Sequence, residues 1–382
     1  MQKLLCSLLL LLAGFAAVPV SAEPLKPAAV LTWDQPKRQD SFWRMETIFP
    51  HRVVQGGGRV RSLPKGKPLT VAVPGGLNAF MAGDKTLGLL VLQDGKVRLE
   101  KYVAPLTRDR HWAGFSLTKS VTSTLYAIAL RDHAIRSLDD AVSAYIPEMK
   151  GSAYDGVTIR QLLTMSSGIK WNEDYTDPAS DVARMYGTPA DPGLDPITSY
   201  MRKLPRETPA GTKWTYKTGE TDLAGVLLVR ATGMPLSRYL SEKLWKPLGM
   251  AHEAVWMINE AGISPGGCCL SAMLEDWGRF GQFILDGGKA GGKQLLPPDW
   301  LPQATHKQIE IGRPGMGYGY FWWTNDDGTF DAKGIFGQMI HIDPKRHLVI
   351  VALGAWSAAY DKPHAETRDV LVKAVTAAVD GR

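Results

Sequence analysis

Ser116-Leu117-Thr118-Lys119 is a stretch of this chain whose residue types could carry out a reaction. A serine hydroxyl is a poor nucleophile until a neighbour takes its proton, and a lysine can do that when burial favours its neutral form. In a helix, positions i and i+3 share a face, so Lys119 can lie beside the Ser116 hydroxyl. The helix N-terminus also offers unpaired N–H groups and partial positive charge to an oxyanion. The motif alone decides little. Ser-x-x-Lys recurs at Ser62 to Lys65 and Ser167 to Lys170, and about one chance copy is expected in a chain of this length. Pro64 interrupts the first copy and Gly168 the third, whereas Ser116 runs into helix-compatible residues at 120–130. A serine that merely opens a helix would read the same way.

A second group of residues changes the weighing. Thr208-Pro209-Ala210-Gly211-Thr212 leads through Trp214 to Tyr216, so a Pro/Gly loop presents a phenol just before a helix expected to open near Thr221. Further stretches are Phe115 to Lys119, Leu138-Asp139-Asp140 to Ile146-Pro147, Ile159 through Met165-Ser166-Ser167-Gly168, and Gly266-Gly267 to Ser271. In order and spacing this set resembles the serine β-lactamase and penicillin-binding-protein superfamily. The resemblance spans roughly residues 80 to 380 and points to its class C-like branch, with the family VIII carboxylesterases and 6-aminohexanoate-dimer hydrolases.

That resemblance implies a β-lactamase-like fold of the α/β plus all-α class: an antiparallel sheet flanked by helices, with an inserted helical domain and the active site between the two parts. It implies Ser116 as the acylated nucleophile, Lys119 as its general base and Tyr216 as the phenol that relays a proton to the leaving group. It implies a small amide or ester as substrate, with no cofactor and no metal. Two departures bear on the substrate. Thr218 stands where the superfamily usually has the Asn of Tyr-x-Asn, and a hydroxyl has less reach and no amide fork. No Lys-Thr-Gly stands at the strand position where the resemblance places it, and Lys333-Gly334-Ile335-Phe336-Gly337-Gln338 falls there instead. Its Gly-Ile-x-Gly-Gln form is similar to that of the 6-aminohexanoate-dimer hydrolases. By that likeness the Ile335 N–H completes an oxyanion hole with the N–H of Ser116, and Gly334, Phe336 and Gly337 face the substrate. An ordinary glycine-rich strand is the alternative. Without the Asn and the cationic Lys, a β-lactam or peptide carboxylate loses its anchors, so simple amides and esters are favoured over the competing β-lactamase or D-Ala-D-Ala carboxypeptidase reading. The Asp/Tyr/Pro-rich stretch 170–178 is a surface loop by composition, and the resemblance makes it a lid with Tyr175 against the substrate. Cys268 and Cys269 are expected as packing thiols.

Other chemistries find no support. His-Glu-x-x-His and His-x-His are missing, which disfavours a zinc hydrolase. Residues 287–293 have the Gly and Lys spacing of a phosphate loop, but Gln294 replaces the magnesium-binding hydroxyl, so a surface loop is expected. Three cysteines cannot build a disulfide framework or a four-ligand zinc site.

The elements that must position Ser116 and Tyr216 come from both chain ends. A hairpin is predicted over 86–103 around Asp94-Gly95. More sheet is predicted at 318–323, 334–342 and 347–353, with turns at Asp326-Asp327-Gly328 and Asp343-Pro344. Leu371, Ala374, Val375, Ala378 and Val379 give a helical face over 365–379. The middle is helix-like at 121–132, 158–163, 221–231 and 236–244. We therefore expect an α/β domain from 23–119 and 263–382 and a mostly helical insertion at 120–262. Of the 382 residues 45% are hydrophobic, enough for a large core, and the net charge of +6 is spread without a basic run, so nucleic acid is not an expected partner. Met1-Gln2-Lys3, the apolar stretch 4–17 and Val20-Ser21-Ala22 read as a secretory signal cut after Ala22. The expectation is an exported protein, periplasmic or secreted, with no stable membrane insertion after cleavage.

Overall fold

A computed structural model describes residues 29–381; the leader expected at 1–22, with Cys6, lies outside them. Asp94 and Gly95 both take positive φ, 50° and 70°, as a tight hairpin turn demands, and they join Thr86–Gln93 to Lys96–Tyr102. Thr86–Gln93 pairs on its other edge with Leu348–Gly354, placing Ile350 opposite Val91. Both chain ends thus build one antiparallel sheet of eight strands. Its order is Lys96–Tyr102, Thr86–Gln93, Leu348–Gly354, Gln338–Asp343, Phe330–Gly334, Trp323–Asn325, Met316–Tyr318 and Ile309–Glu310.

The sheet is buried on both faces, which is why its central strands read as unbroken apolar runs. Leu90, Leu92, Ile340, Val349 and Val351 face the main core with the helix Leu274–Leu285. Leu89, Val91, Ile350 and Ala352 face a second core with Met81, Leu371 and Val375. The last two belong to the C-terminal helix Lys362–Val379, which covers the sheet as its spacing predicted. Gly278 lets Leu274–Leu285 close onto the sheet, since a Cβ there would stand 2.4 Å from Leu90.

Two predicted strands are interrupted. The run 318–323 divides into Met316–Tyr318 and Trp323–Asn325 because Phe321 turns the chain at φ 59°. The run 334–342 divides at Ile335–Gly337, where Phe336 has φ 63° and Gly337 φ 97°. Positive φ at a bulky residue is uncommon, and apolar patterning carries no signal for it.

The predicted helices are present, the first three with shifted starts: Leu117–Arg131, Ile159–Leu163, Thr218–Thr232 and Leu236–Leu240, the last continuing as a π turn over Ser241–Trp245. Thr158 and Gln161 form a reciprocal capping box at the second of these. A smaller sheet runs His51–Val54, Ala254–Met257, Leu270–Ala272, Trp112–Ala113, so one strand falls inside the segment 120–262 expected to be mostly helical. Lys289–Ala290 and Lys293–Gln294 make a short surface hairpin where the phosphate-loop spacing occurs. No helix among the described residues is long and apolar enough to cross a membrane.

Candidate active site

Ser116 sits at the N-cap of Leu117–Arg131, a helix buried on nearly all sides. Short-strand pairing of Trp112 with Ala272 and Ala113 with Ser271 delivers the chain to that point, and the Gly114 N–H donates to the Leu270 carbonyl at 2.9 Å. Phe115 then takes φ 46°, a sharp turn immediately before the serine. The hydroxyls of the helix tie it to its surroundings: Ser120 donates to the Phe321 carbonyl at 2.8 Å, Thr122 donates to the Gly266 carbonyl at 2.6 Å, and Thr118 accepts the Leu270 N–H at 3.2 Å. A polar, Ser/Thr-rich helix can be buried here because these hydroxyls find partners.

Lys119 is buried one turn along. Its Nζ donates to the Gly267 carbonyl at 2.8 Å and the Thr218 hydroxyl at 3.1 Å, and lies 5.2 Å from the centre of the Tyr216 ring. Burial pulls its pKa down to about 8, against the opposing charges of Glu173 and Asp222.

Tyr216 reaches the same place from the Pro/Gly loop. That loop is pinned to the Ser166-Ser167-Gly168 turn by Gly211 N–H to Ser166 carbonyl at 2.7 Å and Thr215 N–H to Met165 carbonyl at 3.1 Å. Trp214, Tyr318 and Trp323 pack around the Tyr216 ring, with Trp323 stacked at 5.5 Å. Burial, then the Glu173 charge, push the phenol pKa well up, while its hydrogen bond with Ser116 pulls the other way. The phenol is therefore neutral near pH 7, with Ser116 among the groups that shift it.

Glu173 is the residue that sequence reasoning missed. Its carboxylate accepts the Thr218 N–H at 2.9 Å, the Tyr175 hydroxyl at 2.7 Å, the Thr218 hydroxyl and the Trp171 indole N–H. Thr218 is thus held between Lys119 and Glu173. Asp222 was missed too: it accepts the Gly267 N–H at 2.7 Å and the Tyr186 hydroxyl at 2.6 Å, and burial raises its pKa to about 6. Glu173 lay inside a stretch read as a surface loop or lid in which only Tyr175 was singled out, and Asp222 sits one turn into a helix that starts at Thr218, earlier than its apolar pattern suggests.

Ile335 and Tyr175 line the same cavity as Ser116 and Thr218. Among the described residues neither the Ser116 nor the Ile335 N–H finds a backbone acceptor outside its own helix or strand. Gly334 is pressed against the nucleophile turn, where a Cβ would meet the Gly114 carbonyl oxygen at 2.6 Å. Phe336 and Gly337 are not brought to the cavity. Phe336 is fully buried against Phe42 and Phe115, and Gly337 packs on Trp356, because the φ reversal at 336 turns that side chain inward. Of the other Ser-x-x-Lys copies, Ser62 is exposed, while Ser167 is buried and donates to Glu220, with Lys170 out in solvent. Cys268 and Cys269 are not free thiols; they are joined as a vicinal disulfide. Cys269 adopts φ 79°, a reversal that lets adjacent side chains meet where an extended chain would point them apart. Among the described residues no cluster of three or more His, Cys, Asp or Glu is placed to hold a metal ion.

A two-faced antiparallel sheet, a buried helix opening at Ser-x-x-Lys and a tyrosine loop set across from it define a β-lactamase-like fold. The chain belongs to the beta-lactamase family, whose model matches residues 77–373 and so spans every site residue named above. A 6-aminohexanoate-dimer hydrolase of Paenarthrobacter ureafaciens is 30% identical over 286 residues, covering 71% of this chain and 73% of that protein. Protein flp of Staphylococcus aureus is 26% identical over 322 residues, and the match takes in 60% of its length. Among solved structures, a Bacillus anthracis chain provisionally named 6-aminohexanoate-dimer hydrolase superposes with a TM-score of 0.79 at 24% identity, covering 90% of this chain and 94% of that one. A class C beta-lactamase follows the same fold with a TM-score of 0.60 at 18% identity, over 78% of this chain and 93% of that one. The coarse chemistry of this family is that of serine hydrolases of the β-lactamase and penicillin-binding-protein superfamily.

Proposed function

We propose that the protein is a cofactor-free serine hydrolase that cleaves small amides or esters through an acyl-enzyme. The Ser116 Oγ attacks the carbonyl carbon and gives its proton to neutral Lys119. The N–H groups of Ser116 and Ile335 hold the tetrahedral oxyanion. Tyr216 donates its proton to the departing nitrogen or oxygen and is refilled from Lys119. Water then attacks the acyl-enzyme, its proton passes to the same pair, and Ser116 leaves as the hydroxyl. The observation that carries the reading is the position of Lys119: buried, with a pKa of about 8, one turn from Ser116 and 5.2 Å from the centre of the Tyr216 ring.

The substrate preference rests on the cavity beside Ser116, about 60 Å³, which has no Lys or Arg among the described residues of its wall. A β-lactam carboxylate would enter without a cation to meet it. Steady-state kcat/KM on p-nitrophenyl butyrate, 6-aminohexanoate dimer and nitrocefin tests this. We expect the ester or the linear amide to be preferred; nitrocefin turned over as fast as the ester would move the protein to the β-lactamase reading. We further propose that the protein is exported and that 23–119 with 263–382 form one domain and 120–262 an insertion, testable by N-terminal sequencing of the secreted form and by limited proteolysis.

A further inference from the structure

The Cys268–Cys269 disulfide forms part of the wall of the cavity that opens beside Ser116. The backbone on each side of it is fixed. Gly267 is held by Lys119 and Asp222, and Leu270 by Thr118 and Gly114. Within the pair, the Cys268 carbonyl accepts the Trp256 indole N–H at 3.0 Å and the Cys269 carbonyl accepts the Met257 N–H at 3.1 Å. Both cysteines are half-buried and line the cavity.

The other polar groups of that wall are turned away from it. The hydroxyls of Tyr175 and Thr218 donate to Glu173, and that of Tyr186 donates to Asp222. Apart from the serine itself, the wall therefore offers ring faces, the aliphatic and thioether surfaces of Ile335 and Met257, and a sulfur–sulfur bond that has no hydrogen to donate. Resting on the hydrolase reading, we propose that the Cys268–Cys269 disulfide is a specificity-determining element of the acyl-binding cavity, a platform for uncharged acyl chains that two-electron reduction removes. A dithiol reductant cleaves the S–S bond: each cysteine sulfur gains one electron and one proton, and the dithiol closes to its own disulfide. The freed side chains then rotate independently and bring two S–H groups to the wall. Cys268 Sγ already lies 3.8 Å from the Tyr186 hydroxyl, so a thiol there gains a polar neighbour next to the loop that holds Lys119.

The test compares p-nitrophenyl acetate, which is too short to use the wall, with p-nitrophenyl hexanoate. Three proteins are measured: the oxidised chain, the chain reduced with dithiothreitol and then desalted without oxygen, and the C268S/C269S variant. Thiols are counted with Ellman's reagent in guanidinium. Reduction should expose two additional thiols per chain. Kcat/KM for hexanoate should fall about tenfold, mainly through KM, while acetate stays within about twofold. An unchanged hexanoate-to-acetate ratio with both thiols present would overturn the proposal, as would equal loss on both esters or an oxidised preparation that already shows the two thiols. Failure of the hydrolase reading would look different: neither ester would be turned over above a Ser116→Ala background by the oxidised protein, and the proposal would fall with it.

Discussion

Glu173 grips Thr218 twice, accepting its backbone N–H at 2.9 Å through one carboxylate oxygen and its hydroxyl through the other. The contact falls at the first residue of Thr218–Thr232, where negative charge suits the helix dipole. Because that hydroxyl is committed to Glu173 as donor, it can only accept from Lys119, and this fixes the direction of the Lys119–Thr218 bond. The superfamily's usual Asn place is filled here by a two-residue device, a short hydroxyl backed by a carboxylate.

Glu173→Gln should therefore act on Lys119 from a distance. The Glu173 charge raises the Lys119 pKa against burial, so its removal should lower that pKa and move the acid limb of the kcat/KM profile to lower pH. Glu173→Ala should also cost about 1–3 kcal/mol of stability, because Trp171, Tyr175 and Thr218 lose their acceptor. Urea melts and a pH–rate profile of each variant check both expectations; an unmoved acid limb in Glu173→Gln would show that the carboxylate does not bias the lysine.

Lys119 must be neutral to take the serine proton. With its pKa near 8, about a tenth of the chains are competent at pH 7, so kcat/KM should climb roughly tenfold towards a plateau above pH 8. The stability sign follows from the same shift. Between pH 8 and the ordinary lysine value of 10.5, the unfolded chain holds a proton that the folded chain has lost, so the site's contribution to stability rises with pH across that window. Lys119→Met should accordingly gain more stability over wild type at pH 7 than at pH 10, as thermal melts at the two pH values would show.

Lys119→Ala and Tyr216→Phe should each lower kcat by about 100-fold or more. The double variant should lose less than the product of the two, since both groups serve one proton path. A Tyr216→Phe variant with wild-type rates on a poor-leaving-group amide would remove the phenol from that path.

Gly334→Ala should lower kcat and stability together. Its Cβ would stand 2.6 Å from the Gly114 carbonyl oxygen, so the strand end must retreat and carry the Ile335 N–H away from the oxyanion. Crystals of the variant with a bound phosphonate would show the retreat; unchanged kinetics would mean that Ile335 is not an oxyanion donor.

What could be read from the residues alone was what depends on short spacing. Ser116 and Lys119 are three apart on one helix, Tyr216 ends a Pro/Gly loop, and Asp94-Gly95 dictates its own hairpin. Glu173 and Asp222 gain their roles from partners up to 45 residues away, and no local pattern marks them. The interruptions at Phe321 and Phe336 depend on left-handed backbone at aromatic residues, which composition would forbid rather than predict. Cys268 and Cys269 read as small packing residues because the φ reversal that joins them is set by the flanking strand Leu270–Ala272 and the Gly266-Gly267 turn, not by the cysteines.

The central claim is that Ser116 becomes acylated. Labelling the protein with a fluorophosphonate and mapping its peptides by mass spectrometry tests this directly. One adduct per chain on the peptide carrying Ser116, absent from Ser116→Ala along with turnover, is the predicted result. An adduct on Ser62 or Ser167, or a Ser116→Ala variant that keeps full turnover, would contradict it.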